Sequence, residues 1–96
     1  MFVVSVEFEV DSAHLAAFRR TVLKQAKNSL DLEGDCHTFH VCVDGEGERS
    51  NRFFLYEEYT DRPAFDAHLA SGHFRDFSAL VNPWVVSKQV RTWNRL

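Results

Sequence analysis

The sequence predicts an α+β domain in which an antiparallel sheet carries its helices on one face, with elements in the order βαββαβ. Three observations predict it. Residues 2–10 alternate in side-chain character over a full strand length. Apolar residues then recur at helical spacing from Leu15 to Leu30. Two strand-like runs, 36–44 and 52–59, follow with only a short glycine-containing polar loop between them, before a second helical stretch and a last strand.

In the first strand Phe2, Val4, Val6, Phe8 and Val10 share one face, and Val3, Ser5, Glu7 and Glu9 the other. Asp11-Ser12 is an N-cap signal, and a helix over 12–30 follows. Its stripe is Leu15, Phe18, Val22, Ala26 and Leu30, with Arg19, Arg20, Lys24 and Lys27 elsewhere. Glu33-Gly34-Asp35 turns the chain into the second strand, 36–44. There Phe39, Val41 and Val43 lie with His37, opposite Cys36, Thr38, His40 and Cys42. Gly45-Glu46-Gly47-Glu48 is a hairpin loop, and 52–59 is an aromatic-rich third strand. Thr60 or Asp61 caps a second helix with Pro63 in its first turn, and Gly72 ends or kinks it. Phe74, Phe77 and Leu80 or Val81 mark a short third helix, stopped by Asn82-Pro83. Trp84 to Trp93 is the last strand. The arrangement is the ferredoxin-like split βαβ, one domain over residues 1–96.

Strands one, three and four carry apolar residues on both parities, as in Phe53 with Phe54 and Trp84 with Val85. A sheet apolar on both faces needs cover on both, and the chain has helices for one. The second cover is expected to be another copy, giving a homodimer joined through its sheet faces. The composition fits: 45% hydrophobic and 14% aromatic, with nine Phe in 96 residues.

The formal net charge of −3, with the basic residues scattered, argues against a nucleic-acid partner. The start Met1-Phe2-Val3-Val4-Ser5-Val6-Glu7 has no basic n-region, and no apolar run approaches membrane-spanning length. No membrane partner and a cytoplasmic location are therefore expected. Cys36 and Cys42 on one strand would lie roughly 20 Å apart at about 3.3 Å per residue, which excludes a disulfide between them.

The chemistry-bearing block runs from Arg52-Phe53-Phe54-Leu55-Tyr56-Glu57-Glu58-Tyr59 to Phe65, His68, His73 and Phe74. His68 shares a helix face with Phe65 and Leu69. It is either a satisfied core histidine or a proton acceptor, because imidazole titrates near neutral pH unaided. Glu57 shares a strand face with Phe53, Leu55 and Tyr59, so it needs a partner or a raised pKa. It either forms a salt bridge near the strand end or serves as a base or as the orienter of His68. Glu58 falls on the other face, so one of the two carboxylates is expected to be solvated. Tyr56 and Tyr59 lie on opposite faces; each supplies packing area or a ligand contact. Trp84 and Trp93 read as core or interface residues, and His14 as solvated.

Cys36, His37, His40 and Cys42 are strung along one strand rather than paired on turns, so no metal site is expected. No phosphate-binding glycine loop, nucleophile elbow, CxxC or HExxH motif is present, and no cofactor is expected.

With this element order and the block from Arg52 to His73, the chain resembles the antibiotic biosynthesis monooxygenase (ABM) domain family over nearly its whole length. The family's acid-Gly-Cys turn is echoed by Glu33-Gly34-Asp35-Cys36 with one residue inserted. Its strand-two aromatic matches Phe39, its strand-three acid and aromatic match Glu57 and Tyr59, and its helix histidines match His68 and His73. The resemblance implies a dimeric α+β barrel with a pocket between sheet and helices. It also implies cofactor-free oxygenation of quinols or polyketide aromatics. The implied catalytic set is His68, Glu57 and Tyr59. The substrate-binding set is Phe39, Tyr56, His73, Phe74 and Trp84, with Tyr59, Phe39 and Trp84 walling the ring.

Two other branches are implied. A haem-degrading one is disfavoured: it has Trp where His68 stands, its axial histidine would fall near Ser78, and it needs an Asn in strand one, whereas the first Asn here is Asn28. The other isomerises a phosphorylated quorum-sensing signal, for which Arg52 and Arg75 are the candidate phosphate donors. A non-enzymatic dimeric binding protein is the third alternative.

Overall fold

The computed structural model describes all 96 residues. Four strands form one antiparallel sheet: β1 (Phe2–Val10), β2 (Cys36–Val43), β3 (Arg52–Tyr59) and β4 (Val85–Asn94), in the spatial order β2-β3-β1-β4. Helices α1 (Leu15–Leu32), α2 (Arg62–Ala70) and α3 (Gly72–Val81) complete the α+β, ferredoxin-like fold. No helix is long and apolar enough to cross a membrane.

Register sets the two faces. Phe2, Val4, Val6 and Phe8 lie opposite Tyr59, Glu57, Leu55 and Phe53, and Phe39, Val41 and Val43 continue the row on β2. This face meets the helices. Phe18 and Val22 of α1, Phe65 of α2, and Phe77 and Val81 of α3 close the core over it, with Phe18 wedged between Phe8 and Phe53 at ring-centroid distances of 5.2 and 4.8 Å.

Local signals act largely where the sequence places them. Asp11 caps a 3-10 turn (Ser12–His14) ahead of α1, and Asp61 accepts from the Ala64 N–H at the start of α2. Ser71 separates α2 from α3. Its Oγ donates to the His68 carbonyl and accepts from the Phe74 N–H, ending one helix and starting the next.

Three expectations are corrected. In β2 a register shift between Cys36 and Thr38 inserts His37 as an extra residue. A bulge re-aims the residues before it, so Cys36 joins Phe39 in the core while His37 is exposed. In α1 the buried stripe ends on Gln25, Ala26 and Ser29; Leu30 turns outward, because the last turns face a polar cluster rather than the core. Trp84 belongs to a 3-10 turn (Asn82–Trp84) rather than to β4, and stacks on exposed His14 at 5.5 Å.

The opposite face of the sheet has no helix over it. It presents Val3, Phe54, Tyr56 and Trp93, but also Ser5, Glu7, His40, Glu58 and Arg91, so it is more mixed than the apolar face the sequence suggests. Trp93 donates its indole N–H to Ser5 Oγ at 3.0 Å. Glu58 is not solvated: it accepts from Thr38 and Arg95, each at 2.8 Å. Phe54 and Trp93 remain 39% and 50% exposed.

Candidate active site

Between the helices and the β4 side of the sheet lies a cavity of about 180 Å³. Its walls are Phe39, Phe65, Phe74 and Phe77, with Val6, Leu55 and Val90 along the sheet. Four polar residues reach it: His68, Glu57, Gln25 and Lys88. A mainly apolar concavity with a few convergent polar groups is the usual form of a small-molecule site. A larger depression of about 510 Å³ adjoins it, sharing Phe8 and Lys88; it also holds Glu7, Glu9, Asp44 and Arg52 and carries no imidazole.

His68 is brought there by α2, which stacks it on Phe65 and sets it against Phe74, with ring centroids 6.1 and 4.9 Å away. It is 3% exposed. Its Nδ1 lies 2.8 Å from Glu33 Oε2. An ionised carboxylate only accepts, so Nδ1 carries the hydrogen and Nε2 the lone pair. Nε2 has no partner within the chain, yet it is not a sealed, unsatisfied atom; it is the nitrogen left to the cavity. Burial lowers the His68 pKa, an effect opposed by the hydrogen bond and charge of Glu33 and reinforced by His73.

Glu33 serves two imidazoles. His73 Nε2 lies 2.7 Å from the same oxygen, and His73 Nδ1 faces Gln25 Oε1 at 3.4 Å. Gln25 is fixed in turn by Ser29. These contacts account for the polar last turns of α1. The donor atoms of Glu33, His68 and His73 lie within 4.8 Å of one another, a set that could hold a divalent cation. Both imidazole nitrogens, however, point at the carboxylate oxygen itself. A cation at about 2.1 Å from each nitrogen would fall close to that oxygen, so Glu33 would have to swing away to make room.

Glu57 is 3% exposed and receives the Tyr59 O–H at 2.6 Å on Oε1. Burial pushes its carboxyl up to about 7; the Tyr59 hydrogen bond lowers it, Glu33 raises it and Lys88 lowers it. The Tyr59 phenol is itself pushed far up, first by burial and then by Glu57. Burial, with the charges of Glu33 and Glu57, pushes the Cys36 thiol up to about 12, which removes it as a nucleophile at neutral pH.

The Glu57 shift carries a stability prediction. Its folded pKa lies above the unfolded value of 4.5, so the native state holds the proton more tightly. The resulting stabilisation is complete below about pH 4.5 and is lost as pH rises to about 7, a change on the order of 3 kcal/mol. Glu57→Gln should therefore gain stability relative to wild type across that window. Urea denaturation of both proteins at pH 4.5 and 7.5 and one protein concentration checks this. A constant difference would contradict it.

The sequence-derived candidates divide. His68, Glu57, Phe39 and Phe74 line the cavity. Tyr59 is 0% exposed and stands behind Glu57 as its hydrogen-bond donor, so it cannot wall a ligand. His73 stands behind Glu33. Tyr56 lies on the uncovered face, stacked on His40 at 6.3 Å, and Trp84 is with His14; neither is brought to the cavity. Glu57 does not orient His68. Glu33, 35 residues away in sequence, does so. Arg52 pairs with Glu9 at 3.5 Å, and neither it nor Arg75 reaches the cavity. Glu33 had one sequence signal, its place as the acid of the turn before β2; Gln25 and Lys88 had none.

Fold and site together define an α+β domain with a small-molecule pocket between sheet and helices. The chain belongs to the antibiotic biosynthesis monooxygenase family, whose model matches residues 1–80. Solved structures agree on the fold. A candidate antibiotic biosynthesis monooxygenase from Nitrosomonas europaea superposes with a TM-score of 0.91 at 23% identity, covering 100% of this chain and 99% of that one. One from Bacteroides thetaiotaomicron gives 0.90 at 20% identity, covering 99% and 89%. One from Caulobacter crescentus gives 0.90 at 18%, again covering 99% and 89%. At these identities the likeness speaks for the fold. No curated protein matches the chain.

Proposed function

We propose that the protein is a cofactor-independent monooxygenase of a quinol or similar small aromatic, with His68 as the proton acceptor. The observation that carries this reading is a buried imidazole whose Nδ1 is held by the Glu33 carboxylate and whose Nε2, without a partner in the chain, is left to a phenylalanine-walled cavity. Nε2 takes the phenolic proton, and Glu33 stabilises the imidazolium that forms. Desolvation by the aromatic walls leaves the substrate anion electron-rich. It reduces oxygen directly: one oxygen atom enters the ring carbon, the other leaves as water, and the substrate supplies all the electrons. Glu57, poised near neutrality and steadied by Tyr59, is placed to return a proton to the departing oxygen.

The functional unit in this reading is a homodimer. The exposed Phe54 and Trp93 would be covered by the same face of a second copy.

The test is oxygen uptake with a panel of reduced naphthoquinols. Turnover should consume one oxygen molecule per product and stop under anaerobic conditions. Turnover that persists without oxygen would favour an isomerase. No turnover of any quinol, with ligands still bound, would favour a binding protein.

A further inference from the structure

Lys88 is the one cation among the residues lining the cavity. The chain's ion pairs leave it out. Its ammonium is instead held over two cavity rings, 5.6 Å from the centroid of Phe8 and 5.9 Å from that of Phe74. Such contacts orient a cation while leaving its hydrogen-bond donors free. Its position is distinct from that of the proton-handling groups. Lys88 pairs across β4 with Phe8, whereas Glu57 lies across β1 from Val4, so the two sit two strands and four residues apart. Lys88 is exposed on the β4 edge, but its ammonium stands against the apolar wall, where a charge interacts more strongly with an anion than in open water. His68 and Glu57 offer no comparable positive site for an anionic group.

We propose that Lys88 is the specificity determinant of the cavity. It selects flat apolar ligands that carry an acidic oxygen (a ring enolate, phenolate or carboxylate) remote from the position facing His68. The inference rests on the cavity being the ligand site and is independent of oxygen chemistry.

Two coloured probes test it. 2-Hydroxy-1,4-naphthoquinone is an anion at neutral pH; 2-methoxy-1,4-naphthoquinone is its neutral counterpart. Equilibrium binding of each to wild type, Lys88→Met and Lys88→Arg is followed by absorbance, with circular dichroism as the check on folding. Wild type should prefer the anion by about tenfold or more, the scale of one charged hydrogen bond, and added salt should reduce the preference. Lys88→Met should lose the preference while binding the methoxy compound as before, and Lys88→Arg should keep most of it. Equal binding of the two probes by wild type, or a preference that survives in Lys88→Met, overturns the proposal. Failure of wild type to bind either probe overturns it together with the cavity as a ligand site. A Lys88-dependent preference in a protein that turns over no quinol would leave this inference standing and remove the oxygenase reading alone.

Discussion

Replacing His68 by Ala should lower quinol-dependent oxygen uptake by about 10² to 10⁴-fold, the usual contribution of a placed base. His68 is buried among Phe65, Phe74 and Tyr59, so Ala also opens a void, and His68→Gln is the better-filled companion. Both variants should fail alike. The loss should fall on kcat rather than on the affinity for a non-reacting quinone, which tells a lost base from a collapsed pocket. Glu33→Gln gives the finer reading. Without its counter-charge the imidazolium is less stable, so the acidic limb of the rate profile should move to lower pH while kcat falls. Unchanged uptake in His68→Ala and His68→Gln would remove the imidazole from the mechanism.

The intact protein should sediment as twice its chain mass of 11.1 kDa throughout the micromolar range. Ending the chain before Trp93 should turn it into an aggregating species rather than a clean monomer. Trp93 covers Ser5 through its indole N–H and stands beside Val3 on the uncovered face. Its loss strips an aromatic anchor from the proposed interface and opens more apolar sheet. A stable, non-associating monomer of the full chain would refute the sheet-to-sheet dimer.

The extent to which the sequence foretells this molecule follows the range of the forces involved. The face of β1 is legible because alternation is a two-residue property, and the Asp61 cap because it acts through a bond to a residue three positions on. The Tyr59–Glu57 pair is likewise visible as neighbours on one strand face. Cys36 faces the core against its sequence parity because one extra residue, His37, leaves no mark on composition while inverting the parity before it. The outward turn of Leu30 follows from the polar stripe of the last turns of α1, where Gln25 and Ser29 face inward toward His73 and the Glu33 cluster, an arrangement that hydrophobic spacing does not encode. The largest gap was the partner of His68. A turn acid such as Glu33 looks like any solvated loop residue until the fold brings α2 over it. Lys88 looks like a surface cation on an edge strand until Phe8 and Phe74 are seen beneath it.

The central claim is that His68 is a neutral imidazole whose Nδ1–H is bound to Glu33 and whose Nε2 is a free base facing the cavity. Nitrogen-15 NMR of the histidine side chains tests this without knowledge of the substrate. At pH 7.5 the His68 signals should show a protonated Nδ1 and an unprotonated Nε2, the Nε2 signal should shift when a quinone fills the cavity, and Glu33→Gln should weaken the tautomer preference. A His68 protonated at Nε2 and bare at Nδ1 would contradict the account, because the nitrogen facing the substrate would then have no lone pair with which to take its proton.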